Sequence, residues 1–258
     1  MKVVIFAGGL GTRIAEETDT RPKPMVEIGG KPILWHIMKI YSHYGFDEFI
    51  VCLGYKGYVI KEYFMNYFLH NSDIRLDIAT NKMTVLGSHS ETFKVTLIET
   101  GSSTKTAGRL KQVQQYIGNE DFMLTYGDGV ADLDINQLVQ YHQSHQKIAT
   151  VTAVQLDARF GGMDINANGG VISFREKAKD ESKWINAGFF VLKPAVFNYL
   201  DGDMSNMMWE DEPLEQLTAN NELVAYKHTG FWKCMDAMRD KLELEALWQS
   251  NQAKWKKW

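Results

Sequence analysis

The chain has 258 residues, of which 45% are hydrophobic and 23% charged, so it is long enough for one large α/β domain with a sizeable core. Its 28 basic and 32 acidic residues give a net charge of -4 and are scattered along the sequence, which argues against a nucleic-acid partner. The first apolar run is too short for a signal peptide and no run approaches the ~18 residues of a membrane span, so we expect a cytoplasmic protein with no membrane partner.

Short runs rich in valine, isoleucine, phenylalanine and threonine alternate with helical patterns through the first part of the chain. They predict strands at Lys2–Phe6, Phe49–Leu53, Lys94–Thr100, Phe122–Tyr126 and Ala149–Val154. Helical spacing predicts one helix from Pro32 to Gly45 and another that ends at Gly118. This strand–helix alternation favours a mainly parallel sheet with helices on both faces.

The second half has a less regular pattern, with predicted strands at Ile172–Glu176, Ile185–Leu192 and Val224–Lys227 and a last helix from Asp236 to about Asn251. No repeat or flexible linker interrupts the chain, so we predict a single domain over residues 1–258. It would be a three-layer α/β/α structure with a mainly parallel mixed sheet and a smaller β-containing C-terminal part.

Residues 55–93 form a candidate insertion with an aromatic-rich stretch from Tyr58 to Phe68. Such a stretch without a basic groove is more typical of a core or a subunit interface than of a base-stacking surface. We therefore expect a homo-oligomer, with this segment as its interface.

The segment Ala7-Gly8-Gly9-Leu10-Gly11-Thr12-Arg13 follows the first predicted strand and is the most informative part of the sequence. Its glycines allow positive φ and a close approach to a ligand, and consecutive N–H groups in such a turn form an anion-binding concavity. Two side-chain donors follow, so triphosphate binding is favoured over a plain tight turn. A dinucleotide fingerprint is excluded, because Ile14 stands where the third glycine would be, and the chain has no Walker A sequence.

Lys23 follows ten residues after Arg13 and lies between Pro22 and Pro24. The prolines fix φ and favour extended backbone at the residues before them, so this lysine is presented on a stiff segment. An isolated lysine is usually solvated. One held this way close to a glycine-rich loop is a candidate triphosphate ligand.

The strings Gly8-Gly9-Leu10-Gly11-Thr12-Arg13 and Pro22-Lys23-Pro24-Met25-Val26 together resemble the signature of the sugar nucleotidyltransferases. The likeness covers nearly the whole chain, including Gly230-Phe231-Trp232, and favours the branch of glucose-1-phosphate cytidylyltransferases. The resemblance implies a Rossmann-like nucleotidyltransferase fold, CTP and glucose 1-phosphate as substrates, and Mg²⁺ as the cofactor.

The resemblance also implies roles for individual residues. Arg13, Lys23 and Lys177 would be catalytic, and Asp128 and Asp236 would hold Mg²⁺. The substrate site would comprise Phe6, Ala7, Gly8, Gly9, Leu10, Gly11, Thr12, Arg13, Lys23, Ser103, Thr104, Arg109, Gly127, Glu176, Lys177, Asn186 and Gly188.

Several of these positions have plainer interpretations when the residues are considered alone. Asp128, between two glycines, is typical of a turn, and Asp236 is typical of a helix N-cap. Gly188 is typical of a bulge in a buried strand. The segment Gly101–Arg109 suits helix capping as well as phosphate binding.

The sequence departs from the family pattern at Ala178 and at Cys234, where the resemblance predicts proline, and at Asp211 in the segment Trp209–Leu214. The other cysteine, Cys52, lies in an apolar run and is expected to be a buried, inert thiol. His142 and His145 are expected to be surface histidines and not metal ligands. Three alternatives stay open: the same reaction class with another NTP or sugar phosphate, a metal-dependent glycosyltransferase, which would release a nucleoside diphosphate, and a nucleotide-sugar sensor without turnover.

Overall fold

The computed structural model describes residues 1–155 and 184–258 in full and the backbone of 162–165 and 171–175. Its strands are β1 Val3–Ala7, β2 Glu27–Ile28, β3 Lys31–Pro32, β4 Glu48–Leu53, β5 Ser72–Asp77, β6 Lys82–Ser88, β7 Lys94–Glu99, β8 Phe122–Tyr126, β9 Gly129–Ala131, β10 Ala149–Gln155, β11 Gly162–Ile165, β12 Val171–Arg175, β13 Trp184–Leu192, β14 Leu223–His228 and β15 Trp232–Cys234. Its α-helices are α1 Ala15–Thr18, α2 Ile33–His43, α3 Gly57–His70, α4 Thr106–Ile117, α5 Ile135–Ser144, α6 Glu212–Ala219 and α7 Met238–Gln249.

The central sheet has seven strands in the order β14-β10-β13-β8-β1-β4-β7. β1 pairs in parallel with β4 and with β8, and the pairs β4–β7 and β10–β14 are also parallel. β13 runs antiparallel to both of its neighbours. The predicted mainly parallel mixed sheet is therefore confirmed, and every predicted strand is present with bounds that shift by at most one residue.

The core lies in two layers, one on each face of the sheet. Side chains alternate along β1, so that Val3 and Ile5 pack on one face while Val4 and Phe6 pack on the other. The first face is covered by α2, α5 and α7, and the second by α4, α6 and the 3₁₀ segment Pro194–Tyr199. This arrangement confirms the three-layer α/β/α form.

Residues 55–93 leave the sheet between β4 and β7 and form α3 and the antiparallel β5–β6 hairpin. Many apolar side chains of this segment are exposed to solvent rather than packed in the core. Whether the segment is a separate insertion or a subunit interface stays a prediction.

Two side chains outside the site test the sequence expectations directly. Cys52 is fully buried, as predicted, and burial raises the pKa of its thiol to about 12. The expectation for His142 is wrong: its side chain is fully buried, because α5 packs against β10 and brings the ring to Thr150 Oγ1, 2.8 Å away. Within the described ranges, none of the helices combines the length and apolar character needed to cross a bilayer.

Candidate active site

The glycine-rich loop leaves the carboxyl end of β1, at the edge of the sheet where parallel strands present ligand-binding loops. Gly11 has φ of 65°, in the left-handed region that favours glycine. At Gly8 any Cβ would lie 2.1 Å from Arg109 Nη1, so only glycine fits between the loop and that guanidinium. The loop then enters the 3₁₀ turn Thr12–Ile14, which presents Thr12 and Arg13 to solvent.

Arg109 lies beneath this loop and is only 3% exposed. Its guanidinium donates to the backbone oxygens of Gly8 (3.0 Å) and Leu53 (2.8 Å) and to Thr100 Oγ1 (2.6 Å). Burial lowers the pKa of Arg109 from its usual value. These bonds tie the glycine-rich loop after β1 to the end of β4, so Arg109 is placed to position the loop. Its direct contact with a nucleotide stays a prediction.

Lys23 lies in the 3₁₀ turn Lys23–Met25, and its ammonium joins two carboxylates that are far apart in sequence. Its Nζ is 2.7 Å from Asp128 Oδ2 and 2.8 Å from Asp236 Oδ1. Burial lowers the pKa of Lys23, but the charge and hydrogen bonds of Asp128 outweigh that effect, and the net pKa is raised. The lysine is therefore a fixed positive charge at neutral pH.

The pairing of β9 with β15 brings Asp128 and Asp236 together. Asp128 directly precedes β9, Asp236 follows β15, and the Met235 N–H donates to the Asp128 backbone oxygen at 2.8 Å. The start of α7 is held by Asp240, whose Oδ2 accepts from the N–H groups of Asp236 (3.1 Å) and Ala237 (2.8 Å). The N-cap of α7 is Ala237, so the alternative that Asp236 is an N-cap residue is wrong. Its carboxylate instead faces Lys23 and Arg13.

These residues surround a cavity of about 370 Å³. It is lined by Phe6, Ala7, Gly9, Gly11, Thr12, Arg13, Lys23, Pro24, Thr106, Tyr126, Gly127, Asp128, Met208, Glu210 and Asp236. Ten of these fifteen are residues to which the sequence analysis gives a site role. Cationic side chains and backbone N–H groups at one end, with two carboxylates beside them, suit an anion bound together with a divalent cation.

Glu210 is the main polar residue of the cavity that the sequence analysis missed. Its carboxylate accepts hydrogen bonds from the hydroxyls of Tyr126 and of Thr106, the latter at 2.9 Å. Burial, reinforced by the Glu210 charge, raises the pKa of Tyr126 and keeps its hydroxyl protonated. Glu210 lies beside Asp211 in the segment Trp209–Leu214, to which the sequence analysis gives no site role, so its hydrogen bonds alone assign it to the cavity.

Asn186 and Gly188 lie in β13 on the Tyr126 side of the site. Asn186 Nδ2 is 3.5 Å from the Tyr126 hydroxyl, and Asn186 Oδ1 accepts from the Gly188 N–H at 2.8 Å. The register of β13 against β10 shifts at this point, which confirms the bulge expected at Gly188. The two predicted sugar-contacting residues are thus adjacent to the cavity rather than in its lining.

Ser103 and Thr104 precede α4, and Ser103 is exposed. Two N–H groups at the start of α4 already have partners, since Lys105 donates to the Ser205 oxygen and Ala107 to the Met207 oxygen. Phosphate binding by Ser103 and Thr104 stays a prediction.

Leu10 is exposed at the tip of the glycine-rich loop. Glu176 and Lys177, as well as Ala178, lie outside the described residues.

The donor set at Asp128 and Asp236 fits a divalent cation. One oxygen from each carboxylate and the Sγ of Cys234 lie within 4.8 Å of one another. Mg²⁺ in phosphate-handling sites is held by one or two carboxylates together with phosphate oxygens. Burial, followed by the Asp128 charge, raises the pKa of Cys234 to about 12.

A mainly parallel α/β sheet, a glycine-rich loop, and a lysine between two aspartates define a class of protein that handles nucleotide phosphates with a metal ion. The chain belongs to the nucleotidyl transferase family, whose model matches residues 2–251. Enzymes of this family generally use a divalent metal ion.

Several relatives match over the full length of both chains, and two of them illustrate the similarity. The sequence is 55% identical to glucose-1-phosphate cytidylyltransferase of Salmonella typhimurium and 48% identical to a probable glucose-1-phosphate cytidylyltransferase of Bacillus subtilis, with 100% of each chain covered. These matches confirm the resemblance found in the sequence.

Solved structures share the fold at lower identity. HddC from Yersinia pseudotuberculosis superposes with a TM-score of 0.69 at 25% identity, covering 96% of this chain and 99% of that chain. A UDP-glucose pyrophosphorylase in complex with UDP-glucose has a TM-score of 0.67 at 17% identity, covering 97% and 98%. The fold class is thereby confirmed.

Proposed function

We propose that this protein transfers CMP from CTP to α-D-glucose 1-phosphate and releases pyrophosphate, with CDP-glucose as the other product. The observation that carries the proposal is the meeting of Lys23, Asp128 and Asp236 beside the glycine-rich loop, within one cavity. The choice of CTP and glucose 1-phosphate rests on the relatives, two of which are named for that reaction at 55% and 48% identity.

The reaction joins two anions, so the site has to neutralise charge before the reacting atoms meet. An oxygen of the sugar phosphate attacks the α-phosphorus of CTP; that new P–O bond forms as the bond to the β-phosphate oxygen breaks, and pyrophosphate leaves with the electron pair. No covalent enzyme intermediate is required, since positioning and charge neutralisation supply most of the rate.

In our proposal, the glycine-rich loop, Arg13 and two lysines each neutralise charge on a different part of the two substrates. The N–H groups from Gly8 to Thr12 cradle the departing β- and γ-phosphates. Arg13, whose side chain is 75% exposed, turns from Asp236 to the triphosphate as the ligand enters. Lys23 binds oxygens at the α-phosphate, and Lys177 binds the sugar phosphate.

Asp128 and Asp236 are the proposed Mg²⁺ ligands. Lys23 Nζ pairs with both carboxylates, so a metal ion held by these oxygens would leave the ammonium to bind the phosphates. When bound, Mg²⁺ supplies charge neutralisation and orientation of the triphosphate. Glu176, Asn186 and Gly188 are the proposed contacts for the glucose ring, with Ser103, Thr104 and Arg109 on the nucleotide side.

The proposal is tested by pyrophosphate release from the purified protein with Mg²⁺, α-D-glucose 1-phosphate and each of CTP, UTP, dTTP, ATP and GTP in turn. We expect release with CTP that requires both the sugar phosphate and the metal. Release with another NTP alone would keep the reaction class and refute the choice of base. No release with any NTP from folded protein would contradict the proposal.

We also propose that the protein is a homo-oligomer in the cytoplasm that assembles through residues 55–93. Eight large apolar side chains of this segment are at least 38% exposed: Met65, Phe68, Leu69, Leu76, Ile78, Met83, Val85 and Leu86. Exposed apolar surface of this extent is typical of an interaction site. Sedimentation should show an oligomer that Ile78→Asp dissociates, whereas a monomeric wild type would contradict this interface.

A further inference from the structure

Cys234 is the residue at which the metal site departs from the family resemblance, which predicts proline there. It ends β15 and precedes Asp236 by two residues. Asp236 lies beyond the end of the strand, and one of its carboxylate oxygens is within 4.8 Å of the Cys234 Sγ. Lys233 lies on the other side of β15 from Cys234, where it pairs with Asp240 at 3.3 Å and with Glu243.

The antiparallel register sets Cys234 opposite Gly129, and hence beside Asp128. The Cys234 Sγ and one oxygen from each of Asp128 and Asp236 lie within 4.8 Å of one another, so the three atoms can converge on a single cation. The position already holds a positive charge, because Lys23 Nζ hydrogen-bonds both carboxylates at 2.7 and 2.8 Å. The protein thus provides a cation position with a sulfur atom at its side.

We propose that Cys234 Sγ is a third donor of this site, so that the protein binds thiophilic divalent cations such as Cd²⁺ and Zn²⁺ through sulfur and both carboxylates. Mg²⁺ prefers oxygen ligands and gains little from the sulfur, so the two aspartates hold it without Cys234. Coordination of the thiophilic cation releases the thiol proton to solvent and leaves a thiolate ligand. The proposal rests on the proposed function only in sharing its metal-binding aspartates.

A functional consequence follows from the shared carboxylates. A cation held by Asp128, Asp236 and Cys234 excludes Mg²⁺ from the same oxygens. Cys234 is thereby a specificity-determining residue: it makes the site more sensitive to Zn²⁺ and Cd²⁺ than two carboxylates alone would be.

The test is a titration of the full chain with Cd²⁺ alone, followed by the ultraviolet charge-transfer absorption of the cadmium–thiolate bond. This signal reports sulfur coordination and is independent of turnover. We expect a band that saturates with a single bound ion, is absent in Cys234→Ser, and persists in the matched variant Cys52→Ser, whose sulfur is fully buried in the core. Cys234→Ser should weaken Cd²⁺ binding about tenfold or more while Mn²⁺ binding changes by less than about threefold.

Three results would overturn the proposal: no band in the wild-type protein, an equal band in Cys234→Ser, or a full-strength band at unchanged Cd²⁺ affinity in Asp128→Asn. The last would show that the sulfur binds Cd²⁺ without the carboxylates. Pyrophosphate release with Mg²⁺, measured on the same preparation, separates the two proposals. Pyrophosphate release without a Cd²⁺ band refutes the role of Cys234 and supports the proposed function. A Cd²⁺ band without pyrophosphate release supports the role of Cys234 and refutes the proposed function.

Discussion

Replacement of Lys23 by methionine separates two roles that this lysine could have at the carboxylate pair. If its ammonium competes with the metal ion, its removal should tighten divalent-cation binding in the absence of nucleotide. If it only holds Asp128 and Asp236 in place, its removal should weaken that binding. Methionine keeps much of the length of the side chain and removes the charge.

The magnitude follows from the contacts. A cation bound by the same oxygens would lie about 4 Å from the ammonium, where two unit charges interact by about 1 kcal/mol in water and about 4 kcal/mol at an effective dielectric constant of about 20. A divalent ion doubles these values, to about 2 and about 8 kcal/mol. Because a lysine side chain can move away, we take the lower value, which corresponds to about 30-fold tighter binding.

The assay is Mn²⁺ binding followed by electron paramagnetic resonance, at constant salt and without nucleotide. Lys94→Met is the matched control, since Lys94 pairs with Glu48 on an exposed part of β7, away from the cavity. Turnover of Lys23→Met should fall by about 10²-fold or more, because a charge that stabilises the phosphates is lost. Unchanged or weaker Mn²⁺ binding in Lys23→Met would refute the competition between lysine and metal.

Three further changes test other parts of the structure. Asp128→Asn should reduce pyrophosphate release by about 10²-fold or more, and wild-type rates in this variant would contradict its role as a metal ligand. Arg109→Lys should lower the free energy of unfolding by about 2 kcal/mol or more, because lysine cannot satisfy the buried oxygens of Gly8 and Leu53 together. Chemical denaturation measures this change, and an unchanged free energy of unfolding would argue against the anchoring role of Arg109. Burial lowers the pKa of His36 to about 4, below its usual 6.5, so the stability it contributes is full above pH 6.5 and is lost as the pH falls toward 4. Between pH 7 and pH 5 this loss amounts to about 2 kcal/mol. The free energy of unfolding of His36→Gln should therefore decrease less between these pH values than that of the wild type.

The sheet could be predicted from the sequence because its strands are short, apolar and rich in β-branched residues. β1 and β4 are buried on both faces, so each is a nearly continuous apolar run that ends at a glycine-containing turn. The helix α5 was harder to interpret. Most of its residues are polar, a composition that favours an exposed His142, and only the packing of α5 against β10 shows that this position faces the sheet.

The site was predictable to the extent that its residues are neighbours in sequence. The glycine-rich loop and Lys23 follow each other closely along the chain, and their chemistry is evident locally. The contact of Asp128 with Asp236 depends on β9 and β15, each three residues long and too short for a periodic signal. Only the family resemblance predicts that Asp128 and Asp236 act together as metal ligands. Glu210 depends on hydrogen bonds to Tyr126 and Thr106 that no sequence pattern encodes.

The central claim is nucleotidyl transfer from CTP to glucose 1-phosphate, and the most direct test is the phosphorus NMR spectrum of that reaction in Mg²⁺. We expect the signals of both substrates to decrease while those of CDP-glucose and pyrophosphate rise in equal amounts, and Asp128→Asn to slow this change by about 10²-fold or more. CMP with pyrophosphate, CDP in place of pyrophosphate, or unaltered substrates from folded protein would contradict the central claim.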